Sequence, residues 1–342
     1  MVRHQSFPGA TMVYAMRILS TLVVLVLGAV LLHVASSPVG ASVVEGEPVR
    51  TERREAERPE TWVAPAWIPV QEDLDALAHG MDQRGPERGP VVRSRAAFVY
   101  DLDANRVLFE RNADVVRPVA SLTKMVSSLA VVRSAEGDAS ARLDRSFCIT
   151  AAQYPTRNGA TSRLSTGDCV QGWDVLGAAL VASDNRGAFG LATVAGMDVD
   201  PFVEEMNRVS AELHMDRSSW SDPSGLEDDN LSTARDMARA AVAVASHPTL
   251  SMVSTAPSWD LHRANRENAR RLFSTNHFVD RGDLEFLAAK TGYTDTARYC
   301  FSTVLRTARG QRLAVTLLGA EGKQTRWADL ERILDWVETT AG

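Results

Sequence analysis

Three times along this chain a short polar group interrupts an apolar element. Ser121-Leu122-Thr123-Lys124 opens a helix pattern whose body is Met125, Val126, Leu129, Ala130 and Val132. Ser183-Asp184-Asn185-Arg186 divides a run of small apolar residues over 172–196, and Lys290-Thr291-Gly292 follows the strand-like Phe286-Leu287-Ala288-Ala289. Hydroxyl, amide and ammonium groups are costly inside a core unless each finds a partner. Any fold for this chain has to account for all three.

Three residues is nearly one helical turn, so Ser121 and Lys124 face the same way with Cβ atoms about 5–6 Å apart. A serine hydroxyl becomes a useful nucleophile when a neighbour takes its proton, and a lysine kept neutral by burial or by another cation can do that. Taken alone, Ser-x-x-Lys equally describes a solvated helix face.

A chain of 342 residues, 45% hydrophobic and 23% charged, has room for one large globular domain or two smaller ones. Its net charge of -6 argues against a nucleic-acid binder. Residues 18–35 are nearly all apolar and stand behind Arg3 and Arg17, which marks an export element. Its length lies between a signal-peptide core and a minimal membrane helix of about 20 residues. Val39-Gly40-Ala41 suits a cut after Ala41, whereas the long leader favours an anchor; residues 1–42 are a signal peptide or an N-terminal signal anchor. Either way the rest is expected outside the cytoplasm, in the periplasm or on the outer face of the membrane, with membrane contact only through that segment.

Residues 43–92, rich in proline and charge, are expected to form a linker. Trp62, Val63, Trp67 and Ile68 within it suit packing on the catalytic body or docking of a partner. Outside the cytoplasm a disulfide can persist. If the β-like run 146–150 pairs with the element that starts at Cys169, then Cys148 and Cys169 can bridge and Cys300 is a buried thiol; otherwise the first two are small core residues.

Residues 96–101 and 107–110 are expected to form a β-hairpin around a turn that holds Asp103 and Asn105. Residues 172–196 suit two buried helices with a polar break. Phe202, Val203, Met206, Val209 and Leu213 give 201–213 the period of an amphipathic helix. Asp222-Pro223-Ser224-Gly225 is turn chemistry, and Thr233 with Asp236 resembles a cap ahead of a helix over 237–246. A strand over 286–294 opens into a turn, strands follow at 298–306 and 312–319, and a helix over 325–339 closes the chain. Early strands, a helical middle and late strands make an α/β domain whose two ends share one sheet. The seven histidines have no zinc-site spacing and Glu227-Asp228-Asp229 lacks a calcium-loop pattern, so neither metal nor cofactor is expected.

The three polar groups stand in the order of the active-site motifs of class A β-lactamases and penicillin-binding proteins. Their flanks narrow the likeness. Phe98-Val99-Tyr100-Asp101-Leu102-Asp103, Gly167-Asp168, Phe202 with Met206-Asn207, Pro223-Ser224-Gly225-Leu226, Ser232-Thr233-Ala234-Arg235-Asp236 and Lys290-Thr291-Gly292-Tyr293-Thr294 resemble the D-alanyl-D-alanine carboxypeptidases of serine peptidase family S11, the low-molecular-mass penicillin-binding proteins. The resemblance covers about 95–337. It implies the penicillin-binding-protein (DD-peptidase) fold, an antiparallel sheet flanked by helices with an all-helical subdomain, over a catalytic domain 93–342 without the family's C-terminal β-domain.

It also implies an activity, removal of the terminal D-alanine from peptidoglycan stem peptides, with β-lactams as covalent inhibitors. Ser121 would be the nucleophile and Lys124 its base. Ser183 would relay a proton to the leaving group, and Asn185 would place Lys124 and the substrate amide. Lys290 would keep Lys124 partly neutral and attract the substrate carboxylate, with Thr291 and Thr294 as hydroxyl contacts and Gly292 letting the strand approach the substrate backbone closely. The backbone N–H groups of Ser121 and Tyr293 would hold the oxyanion. This sequence departs from the family at Asp184, where glycine is usual and the side chain is expected to point away, and at Ala288 and Arg298, also glycine positions, where the cleft would be narrowed. A D,D-endopeptidase would use the same residues. A β-lactamase would need a deacylating glutamate, and Glu204-Glu205-Met206-Asn207 is read instead as a surface face with a core methionine. A non-catalytic wall-binding module would not need the trio.

Overall fold

The computed structural model describes residues 79–85, 88–135, 139–150 and 162–340. The export element, Trp62, Trp67 and most of the linker lie outside them. Met81 and Val92, from the end of that stretch, are buried, so this part packs on the body.

A five-stranded sheet in the order β2-β1-β11-β10-β9 is built from β1 (Ala96–Asp101), β2 (Arg106–Arg111), β9 (Glu285–Thr294), β10 (Arg298–Arg306) and β11 (Arg312–Ala320). Every pairing in it is antiparallel, and the register Ala96↔Leu318 to Asp101↔Leu313 joins the early strands to the late ones. The two ends of the domain therefore share one sheet, as the order of elements implies. All six residues of β1 are buried because both faces are covered. Phe98 and Tyr100 point into one apolar cluster with the helices of the middle, while Ala97 and Val99 point into the other, against Trp327, Leu330 and Ile333 of the last helix.

The middle of the chain supplies α1 (Thr123–Arg133), α2 (Ala139–Leu143), α3 (Gly172–Leu180), α4 (Asn185–Ala195), α5 (Val199–Glu212), α6 (Ala234–Ser246) and α7 (Pro248–Thr255), and α8 (Lys323–Thr340) closes the chain. Ten consecutive residues of α1 are buried, so it is apolar nearly all round and runs through the centre of the helical part. Asp329 of α8 accepts from Arg93 N–H, Ser94 N–H and Ser94 Oγ, which fixes the last helix to the lead-in of β1. Three two-stranded pieces complete the fold: β3 (Arg117–Pro118) with β6 (Leu231–Ser232), β4 (Ser146–Cys148) with β5 (Cys169–Gln171), and β7 (Ser258–Leu261) with β8 (Arg270–Phe273). Cys148 and Cys169 face each other across the second of these and form a disulfide, while Cys300 is a buried free thiol.

Some expectations change. The amphipathic helix starts at Val199, two residues before Pro201, because a first-turn position needs no backbone N–H partner. The cap on α6 is real: Thr233 Oγ1 accepts from Asp236 N–H at 3.0 Å, and the helix starts three residues earlier than expected. Glu205 is not a surface residue. It is buried, and Arg133 at 3.0 Å and Arg208 at 2.6 Å neutralise it. The polar stretch after residue 246 holds α7 and the β7–β8 hairpin, elements too short for their period to stand out.

Candidate active site

Ser121 sits in a single 3₁₀ turn (Ala120–Leu122) that feeds α1. The turn is held under strain, since Ala120 has φ 51°, in the left-handed region. Two glycines press against it. A Cβ on Gly225 would lie 2.0 Å from Ala120 O, and one on Gly292 would lie 2.8 Å from Val119 O and 3.2 Å from Ser121 N. Gly292 thus lets β9 come directly up to the Ser121 turn.

Lys124 Nζ is fully buried and lies 2.8 Å from Ser121 Oγ, 2.9 Å from Asn185 Oδ1 and 2.6 Å from Ser224 O. Burial depresses its pKa to about 7, against the opposing pull of the Asp222 and Asp184 carboxylates. Of the two causes the sequence leaves open, burial or a neighbouring cation, burial comes first. Ser224 O is aimed by a turn wound around one carboxylate. Asp222 Oδ1 accepts from Ser224 N–H at 2.6 Å and Gly225 N–H at 2.9 Å, and Oδ2 accepts from Glu227 N–H at 2.9 Å. Burial alone would raise the Asp222 pKa, but hydrogen bonds from Ser224, Glu227 and Asn230 outweigh it and hold the group below the usual carboxylate range.

The second motif lies at the junction of α3 and α4. Ser183 is in the left-handed region, φ 58°, and its Oγ accepts from Lys290 Nζ at 2.8 Å. Asp184 caps α4 by accepting from Gly187 N–H at 3.1 Å; it points away from the cleft, to Ser162 and the Arg163 N–H. Lys290, on β9, also donates to Thr291 O at 2.9 Å. Its pKa is pushed well down, first by burial and then by the neighbouring Lys124 and Arg326 charges. The three motifs, 169 residues apart from first to last, thus converge on one hydrogen-bonded cluster.

This cluster floors a cleft of about 510 Å³ lined in part by Ser121, Ser183, Asn185, Thr291, Gly292, Tyr293 and Thr294. A larger cavity of about 780 Å³ beside β2 holds none of the motif residues, and its Arg84 is already paired with Glu110 and Asp114. The smaller cleft is the chemical one. Ala288 and Arg298 do not narrow it: Ala288 is buried in the core, and Arg298 stands outside the lining, at φ 60° where β10 begins. That left-handed backbone is the physical reason glycine suits the position.

Other cleft residues had no legible signal. Thr275 Oγ1 accepts from Thr291 Oγ1 at 2.6 Å. Arg326 reaches in from α8, buried, donating to Gly292 O at 3.3 Å and Cys300 O at 2.9 Å, with Nε unpartnered among the described residues. Burial lowers its pKa to about 10, which leaves it charged at neutral pH. Only an arginine beside Trp327 on an otherwise apolar helix face hinted at it.

A serine turn at the head of a buried helix, packed against the edge of an antiparallel sheet, is the architecture of penicillin-binding serine peptidases. Residues 83–322 match the family model for peptidase S11, D-alanyl-D-alanine carboxypeptidase, and the chain belongs to that family of serine hydrolases. It is 31% identical over 251 residues to a D-alanyl-D-alanine endopeptidase of Escherichia coli, covering 73% of this chain and 79% of that one. It is 33% identical over 249 residues to the enzyme of the same description from Pseudomonas aeruginosa, covering 72% and 78%. The fold is that of a D-alanyl-D-alanine carboxypeptidase from Mycobacterium tuberculosis, with TM-score 0.65, 24% identity and coverage of 74% and 93%. It is likewise that of the Streptomyces K15 DD-transpeptidase, with TM-score 0.67, 20% identity and coverage of 74% and 99%.

Proposed function

We propose that this chain removes the terminal D-alanine from peptidoglycan stem peptides through an acyl-enzyme on Ser121, and that β-lactams acylate the same hydroxyl. One observation carries the mechanism. A neutral lysine has two N–H groups and one lone pair; Asn185 Oδ1 and Ser224 O are acceptors, so they take the two N–H groups. The lone pair is left for the Ser121 hydroxyl at 2.8 Å.

Ser121 Oγ attacks the carbonyl carbon of the penultimate D-alanine while its proton passes to Lys124 Nζ. The oxyanion is held by the Ser121 and Tyr293 N–H groups, each donor supporting about 3 to 4 kcal/mol. Collapse breaks the C–N bond, and the departing amine takes a proton through Ser183, whose hydroxyl is held by Lys290. The Arg326 charge and the Thr291 and Thr275 hydroxyls are the groups for the carboxylate of that residue, while Thr294 and Asn185 hold the acyl strand. Water then adds to the ester, Lys124 again taking the proton, and Ser121 is released.

The names of the 31% and 33% relatives favour a second reading, D,D-endopeptidase action on cross-links, which needs the same atoms. Residues 18–35, ahead of a cell-wall peptidase domain, support action outside the cytoplasm with the N-terminal segment as export signal or anchor. Among the described residues no helix is long and apolar enough to cross a membrane.

The test is labelling with a fluorescent penicillin. Wild type takes the label and Ser121→Ala does not; an unlabelled wild type, or a labelled variant, overturns the mechanism. Release of D-alanine from a pentapeptide, set beside cleavage of a cross-linked dimer, separates the two activities.

A further inference from the structure

The cleft holds more positive charge than one carboxylate requires. Its lining includes Arg163, Lys323 and Arg326 and no aspartate or glutamate, on a chain of net charge -6. Arg326 with the two threonines suffices for the carboxylate of the departing residue. Arg163 enters from another wall, the one next to Ser183, towards which the leaving amine departs.

The backbone of Arg163 is fastened on both sides. Its N–H donates to Asp184 Oδ2, beside the 2.6 Å bond from Ser162 Oγ to Asp184 Oδ1, and its carbonyl accepts from Arg270 Nη1 at 3.1 Å. Asp184 is itself fully buried. It is also the residue that replaces the usual glycine of the second motif, and a glycine there would have no carboxylate to hold this segment. A half-buried arginine on an anchored backbone, lining a cleft without acidic groups, is built to meet an anion.

We infer that Arg163 is a specificity-determining residue that binds a second carboxylate on the leaving side, and that Asp184 is the positioning residue that holds it there. The departing strand of a cross-linked peptide carries carboxylates beyond the one at the scissile residue, whereas a departing D-alanine has only that one. A cross-linked peptide therefore gains a contact on the leaving side that a departing D-alanine lacks. This inference rests on the peptidase reading above.

The measurement is the ratio of kcat/KM for a cross-linked peptide dimer to kcat/KM for a pentapeptide. In Arg163→Gln the ratio falls about tenfold, through KM for the dimer, and Arg163→Lys restores most of it. Raising the salt lowers the wild-type ratio but leaves that of Arg163→Gln unchanged, because a half-exposed ion pair is screened. Asp184→Gly lowers the ratio in the same direction, and combining it with Arg163→Gln lowers it no further. An unchanged ratio in Arg163→Gln, an equal fall for both substrates, or additive effects in the double variant overturns the inference. A wild type that takes no penicillin label and cleaves neither peptide instead removes the peptidase reading itself.

Discussion

Among the described residues the protein buries cations in two places and treats them in opposite ways. Beside β2 and α6, Arg235 is matched by Glu110 at 2.7 Å and Asp114 at 2.7 Å, and Arg239 by Asp236 at 2.9 Å. Burial would lower the Arg235 pKa, but its bonds to Asp114 and Glu110 outweigh that and raise it. At the cleft, Lys124, Lys290 and Arg326 are as deeply buried, but they donate to hydroxyl, amide and carbonyl oxygens, and all three pKa values are lowered. The first cluster fastens elements together. Among the described residues, the second holds basic groups with no carboxylate in contact with them, which suits one of them to act as a base and the others to meet an anionic substrate.

Substitutions that treat the two clusters alike should therefore give unlike results. Lys124→Met is expected to lower penicillin acylation by about 10³-fold, read as labelling rate, with a smaller change in unfolding free energy than Arg235→Met produces. Arg235→Met leaves the buried Glu110 carboxylate with only the exposed Arg84 as partner and is expected to lower stability by about 3 kcal/mol, read by urea unfolding, with the penicillin labelling rate kept where the protein remains folded. Equal stability losses in the two variants would break the comparison.

The pH profile sharpens it further. Lys124 accepts a proton only when neutral, so acylation should rise about tenfold per pH unit below about 7 and level off above it. The sign for stability follows from the same depression. Between about 7 in the folded state and 10.5 in the unfolded chain, the unfolded state binds the extra proton, so this group's contribution to stability grows as pH rises through that window. A flat acylation profile from pH 5 to 8 would show that Lys124 is not the base. The smallest effect belongs to neither cluster: Arg298→Gly, relieving a left-handed backbone, should raise stability by about 0.5 kcal/mol in thermal unfolding.

The elements with a clear period were legible before any coordinates: the β1–β2 hairpin, the buried α1, the α3–α4 pair, the three late strands and α8. The β7–β8 hairpin and α7 were not. They are short, β8 shows three of its four residues to solvent, and α7 announces itself only by His247 and Pro248 at its start. Glu205 was misplaced because a helix pattern reports an average face, and Arg133, on another helix, decides whether a carboxylate may be buried there.

The local sequence determined which groups are on offer and on what element each stands. Helix spacing sets Ser121 and Lys124 on one face, and the motif order with its flanks identifies the family, because such patterns are written within a few residues. Tertiary structure decided what Lys124 is. Its partners come from 61 and 100 residues further along the chain, Asn185 and Ser224, and its pKa near 7 comes from being sealed away from water. It also decided that Arg326 and Arg163 share the cleft, since no period or motif links a residue of the last helix to one beside the disulfide hairpin. Desolvation is a property of the packed whole, and no short stretch of chain carries it.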